Sequence, residues 1–137
     1  MKLLFLSLAA IVSAAGLGFT NHTISEAPAQ TPAGKAVYDQ NCLACHQADG
    51  RGVPGMNPPL AKTDWVQGDK TRLINVILKG LNEAVEINGE TYQNEMPAHD
   101  FLTDQQIADV LTYVRSNFGN KAGAVSMEEV KVLRDKK

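Results

Sequence analysis

Apolar positions along the chain follow different periods in different stretches. The first run is unbroken: Leu3 to Val12 is apolar apart from Ser7, with Lys2 before it and Ser13, Ala14, Ala15 and Gly16 after it. That is the make-up of an export signal. Asn21 to Pro32 has no period and is rich in Thr, Ser, Ala, Pro and Gln, which reads as a flexible leader. Helical spacing begins at Pro32 or Ala33 and carries Gly34, Val37 and Tyr38 toward the cysteines, with Gly34 and Tyr38 on one helix face. A glycine inside a helix costs ~1 kcal/mol relative to Ala. Gly34 therefore either admits another backbone or simply sits near the helix start, where the cost is small.

From Asp49 to Pro59, Gly and Pro are too dense for regular structure, and a loop is expected. Leu60 to Val66 predicts a short helical turn with Trp65. Asp69 is a natural N-cap for a helix carrying Leu73, Val76 and Ile77, with Gly80 as its stop. Val85 and Ile87 alternate before Asn88-Gly89, a type I′ turn signal, so Ala84 to Tyr92 predicts a hairpin. An isolated hairpin is marginal, and this one is expected to lie on a helical core. Thr103 to Gln106 is a capping box, with Leu102 and Ile107 as a hydrophobic staple. It opens a helix striped by Ile107, Val110, Leu111 and Val114, with Gly119 expected as the C-cap. Ser126 to Glu129 is a second capping box opening a short helix through Val130 and Leu133. Arg134 to Lys137 is expected as a solvated tail. The fold class is all-α with one short β-hairpin.

Length and charge bound what such a chain can do. With 137 residues and a formal net charge of −2, one small domain is expected, and the balance argues against nucleic acid. Signal cleavage could fall after Ala15, or later near Ala27 or Ala29. If it is not cleaved, Leu3 to Phe19 is barely long enough to span a bilayer, and the protein would then be tethered to the membrane by its N-terminus.

The stretch with chemistry is Cys42-Leu43-Ala44-Cys45-His46. Two thiols three positions apart with a histidine directly after the second form the attachment pattern for c-type haem. Each sulfur adds to one vinyl group on the same porphyrin edge, and the helical turn between them holds His46 over the iron as proximal ligand. A redox-active Cys-x-x-Cys would follow a strand, whereas this one follows a helical pattern. Zinc wants four ligands and would need two of His22, His46 and His99, at none of the usual spacings. One covalent haem c is the expected cofactor. Its maturation outside the bacterial cytoplasm agrees with export, so a periplasmic location is expected.

The opposite face of the iron has candidate ligands in Met56, Met96, Met127, His22 and His99. Met56 lies in the loop after His46, Met127 beyond the last strong helix and His22 in the leader. Met96, stiffened by Pro97, is the expected ligand. His99 and an open site are the alternatives.

These motifs resemble those of class I monohaem c-type cytochromes over about Ala33 to Asn120. The residues that carry the resemblance are Gly34 and Tyr38, Cys42 to His46, Pro58-Pro59-Leu60, Met96-Pro97, and Leu111 to Arg115. The hairpin before Met96 is similar to those of cytochrome domains that accompany quinoprotein dehydrogenases and copper nitrite reductases. The resemblance implies a small fold of three to five helices wrapped round the haem. It implies that Gly34, Tyr38, Leu111 and Tyr113 meet where an N-terminal helix crosses a C-terminal one. It further implies that the Pro58 carbonyl accepts a hydrogen bond from His46 Nδ1, and that Leu60 packs on the porphyrin. Trp65 resembles a tryptophan that binds a haem propionate, with plain core as the other reading.

The organisation expected is signal and leader over residues 1–29, a cytochrome c domain over 30–120, and a terminal helix with charged tail over 121–137. The function expected is electron transfer rather than catalysis, by a monomer exchanging single electrons with transient donor and acceptor proteins through the partly exposed thioether edge. Lys35, Arg51, Lys62 and Lys79 are candidate docking cations. The alternatives are a haem relay subunit of a larger oxidoreductase and a gas-binding or peroxidatic haem protein.

Overall fold

Pro32 opens the first helix, α1 (Pro32–Asn41), at a position where its missing N–H is no loss. The structure is a computed structural model that describes residues 32–136. The export signal, its cleavage sites, the leader with His22, the possible tether and Lys137 lie outside the described residues. After α1 come α2 (Leu43–His46), α3 (Asp64–Gln67), α4 (Lys70–Lys79), the hairpin strands β1 (Val85–Ile87) and β2 (Glu90–Tyr92), α5 (Asp104–Ser116) and α6 (Met127–Arg134). Six helices occur among the described residues. Two of them, α2 and α3, are single turns of four residues each, and the other four fall within the three to five expected.

Local chemistry sets most boundaries. The Asp69 carboxylate accepts from Thr71 N–H at the start of α4, and Gly80, at φ 73°, ends that helix. Both expected capping boxes are formed, Thr103 with Gln106 and Ser126 with Glu129. The end of α5 differs from expectation. The helix stops at Ser116, three residues before Gly119, because Asn117 Nδ2 donates to the Tyr113 carbonyl at 2.8 Å and satisfies the last turn. Phe118 then folds back onto Tyr38 and Tyr113, with ring centroids 5.2 and 5.7 Å away.

Helices α1 and α5 cross at Gly34. A Cβ there would collide with the Asp109 carbonyl and lie 2.8 Å from Tyr113 Cβ, so only glycine lets the two backbones approach this closely. Tyr38, one turn on, packs on Tyr113 at 5.5 Å between centroids and donates its hydroxyl to the Gln47 carbonyl at 2.7 Å. The crossing thereby fixes the exit of the cysteine turn. Leu111 is buried but lines the cavity described below.

The predicted hairpin forms, with Ile87 opposite Glu90 and Val85 opposite Tyr92. Asn88 and Gly89 both have positive φ, 54° and 81°, as a type I′ turn requires. Ile87 and Tyr92 are buried. Helix α6 packs by Val130 and Leu133 on the main core. Arg134 is not a solvated tail residue. It donates to Asp104 Oδ1 at 2.6 Å and to the carbonyls of Asp100 and Leu102 at 2.8 and 2.7 Å. No helix among the described residues is long and apolar enough to cross a membrane.

Candidate functional site

The cysteine turn is built by backbone bonds that continue α1: Cys42 N–H donates to the Tyr38 carbonyl and His46 N–H to the Cys42 carbonyl, both at 2.9 Å. Cys42 is half-buried and Cys45 exposed. Burial first, and the neighbouring Cys45 second, push the Cys42 thiol up to about 11. Among the described residues no group of three or more His, Cys, Asp or Glu is arranged to hold a metal ion by itself.

His46 is buried and its Nδ1 lies 2.9 Å from the Pro58 carbonyl oxygen. A carbonyl only accepts, so Nδ1 carries the proton and Nε2 keeps its lone pair for a metal. Burial lowers the His46 pKa, against the raising effect of the Pro58 bond. The loop from Gly50 to Leu60 brings that carbonyl into place. Gly52 N–H donates to the His46 carbonyl at 3.0 Å, and Leu60 N–H to the Gly50 carbonyl at 2.7 Å. Gly52 has φ 66°, and a Cβ on it would come within 2.6 Å of the Pro58 oxygen. Glycine is needed there on both counts.

Two adjoining cavities share Cys42, His46, Pro58, Leu81, Val85 and Met96 as wall. The inner one adds Leu60 and Trp65 with an apolar lining from α4 and α5. The outer one opens past Cys45, Asn57, Asn94 and His99. Of the other thioethers, Met56 and Met127 are exposed. Met96 is held by Leu81, each donating its N–H to the other's carbonyl at 2.8 Å. His99 stands at the mouth, where its Nδ1 donates to the Pro97 carbonyl at 2.9 Å.

Three residues that sequence reasoning did not assign hold these walls. Asn120 is buried; its Nδ2 donates to the Leu60 and Val114 carbonyls, and its Oδ1 accepts from Lys62 N–H at 2.7 Å. Arg115 is buried too and donates to the carbonyls of Val66, Gly68 and Gly123. Arg72 stacks its guanidinium 4.3 Å above the Trp65 ring. Its Nε is the one buried side-chain polar atom without a hydrogen-bond partner among the described residues. The residues fit haem: two thiols at attachment spacing, an imidazole with Nε2 free, an apolar cavity, and a spare donor beside Trp65 suited to a carboxylate.

The family model of cytochrome c matches residues 32–118. Cytochrome c-552 of Thermus thermophilus is 36% identical over 113 residues, covering 76% of this chain and 86% of the relative. The cytochrome c subunit of alcohol dehydrogenase (quinone) from Gluconobacter oxydans (strain 621H) is 40% identical over 108 residues, 77% of this chain but 22% of that subunit. The fructose dehydrogenase cytochrome subunit of Gluconobacter japonicus is 36% identical over 113 residues, again 22% of its length. The chain belongs to the cytochrome c family. It is an electron-transfer protein whose cofactor is haem c.

Proposed function

We propose that His46, through Nε2, and Met96, through its sulfur, are the two axial ligands of a haem held by thioether bonds to Cys42 and Cys45. In this reading the Pro58 carbonyl fixes the imidazole plane, Leu60 packs on the porphyrin and Trp65 donates to a propionate. Bound haem c supplies a one-electron iron couple. The chain's own part is to keep both ligands in place through the cycle and to exclude water with the apolar walls. The observation that carries the reading is the His46 to Pro58 hydrogen bond at 2.9 Å beside Cys42 and Met96 on one cavity wall, since it leaves only Nε2 for the iron.

The cytochrome domain occupies residues 30–120, and residues 121–137 follow as the segment that carries the short terminal helix. The protein is exported to the periplasm, free or tethered by its N-terminus, and works as a monomer that exchanges electrons with transient partners and is not itself an enzyme. A second reading, a relay subunit of a larger oxidoreductase, draws on the likeness to dehydrogenase cytochrome subunits. Purification from native periplasm and membranes separates the two: a monomer supports the carrier, and co-migration with a dehydrogenase supports the relay. Haem should remain on the denatured wild-type chain and be lost from Cys42→Ala/Cys45→Ala. A wild-type chain that releases its haem on denaturation would refute covalent attachment.

A further inference from the structure

We propose that the mouth of the crevice is a docking face for a redox protein whose contact surface is basic. The inference deepens the electron-transfer reading by giving the chemistry of the partner. Three of the exposed large apolar side chains belong to segments at this mouth. Leu43 lies between the cysteines, Met56 precedes the mouth residue Asn57, and Phe101 packs on the ring of His99 at 5.6 Å between centroids. Cys45 and Pro97 are exposed among them. An apolar patch with a charged rim is the anatomy of a protein contact, and a small one suits transient exchange.

The rim is acidic. From Gly80 to Val114 the chain carries no Lys or Arg, while Glu83, Glu86, Glu95 and Asp100 are exposed. Glu95 lines the mouth itself. Glu83 lies two residues from Leu81, which pairs with Met96, and Asp100 follows His99. No Lys or Arg lines the mouth. Arg51 and Lys62, expected to help docking, border a different groove beside Phe118, and Lys35 is paired with Asp39. Lys79, exposed in the last turn of α4, borders this segment as a single cation against Glu83, Glu95 and Asp100. A basic partner face is therefore attracted to the mouth and an acidic one is repelled.

The test is stopped-flow oxidation of the ferrous holoprotein by two acceptors, a lysine-rich basic cytochrome c and an acidic blue copper protein, across ionic strength from ~10 to ~300 mM. The rate with the basic acceptor should fall by about tenfold or more with salt, and the rate with the acidic acceptor should not. The triple variant Glu83→Gln/Glu95→Gln/Asp100→Asn should lose most of that salt dependence. A control of equal charge change on α1, on α6 and just past its end, Asp39→Asn/Glu128→Gln/Asp135→Asn, should retain it. Equal loss in both variants would reduce the effect to net charge and overturn the docking face, as would a salt-independent wild type. Failure to reduce either acceptor would instead overturn the electron-transfer reading beneath it.

Discussion

Leu81 and Met96 exchange both backbone hydrogen bonds at 2.8 Å, four positions beyond the Val85 and Tyr92 pair on each strand. The two-residue Asn88-Gly89 turn therefore sets the register that presents Met96 to the cavity, because a slip of one residue would turn the side chain to the other face. Asn88 holds φ 54°, which a β-branched residue adopts only with strain. Asn88→Val should destabilise the protein by ~1–2 kcal/mol. It should also speed displacement of the Met96 sulfur by added imidazole. Urea unfolding and imidazole titration read the two effects. Unchanged imidazole binding in a destabilised variant would separate the turn from the ligand.

The Pro58 carbonyl is placed by Gly52, whose φ is 66° and whose missing Cβ leaves the carbonyl its room. Gly52→Ala should cost ~1–3 kcal/mol and weaken the His46 hydrogen bond. A less basic imidazole stabilises ferric iron less, so the reduction potential should rise. Potentiometric titration beside urea unfolding distinguishes this from simple destabilisation, which would leave the potential unmoved.

Arg134 fastens α6 to the segment before α5 through Asp104 and two carbonyls, with both charged side chains about three-quarters shielded from water. Arg134→Ala should lower stability by ~1.5–3 kcal/mol. Arg134→Lys, lacking the planar fork, should recover only part of it. Full recovery by lysine would mean that charge alone matters at this position.

Glu129 carries a pH dependence. Burial pushes its carboxyl up, but the Ser126 N–H and the Lys70 ammonium outweigh this and hold it below the ordinary range. A carboxyl depressed on folding contributes stability that is full above its unfolded value of ~4.3 and is lost as pH falls through the folded value. With the side chain 41% exposed, Glu129→Gln should cost no more than ~1 kcal/mol at neutral pH. The wild-type and variant stability curves should converge below about pH 4. A difference that stays constant into acid would show that Glu129 acts by packing rather than charge.

What the sequence made legible was local. Capping boxes, the Asn-Gly turn and the Cys42 to His46 spacing are all read within about five residues, and each formed as its own chemistry dictates. The Pro58 carbonyl was reached only through resemblance, since any backbone carbonyl could accept from His46. The hydrogen bonds of Asn120, Arg115 and Arg134 have no signal in the sequence, where Arg134 reads as a solvated tail. Their partners are carbonyls at Leu60, Val66 and Leu102, far along the chain and without a side-chain signature. Gly119 carries the stronger stop signal, yet α5 ends three residues earlier, because Asn117, just past the last turn, caps it through the Tyr113 carbonyl.

Axial ligation by His46 and Met96 is read from the absorption spectrum of the purified holoprotein, ferric and ferrous. The expected result is a c-type ferrous spectrum together with the weak far-red band of a methionine bound to ferric iron, and loss of that band in Met96→Ala. A wild type without the far-red band whose ferrous form binds carbon monoxide readily would contradict it.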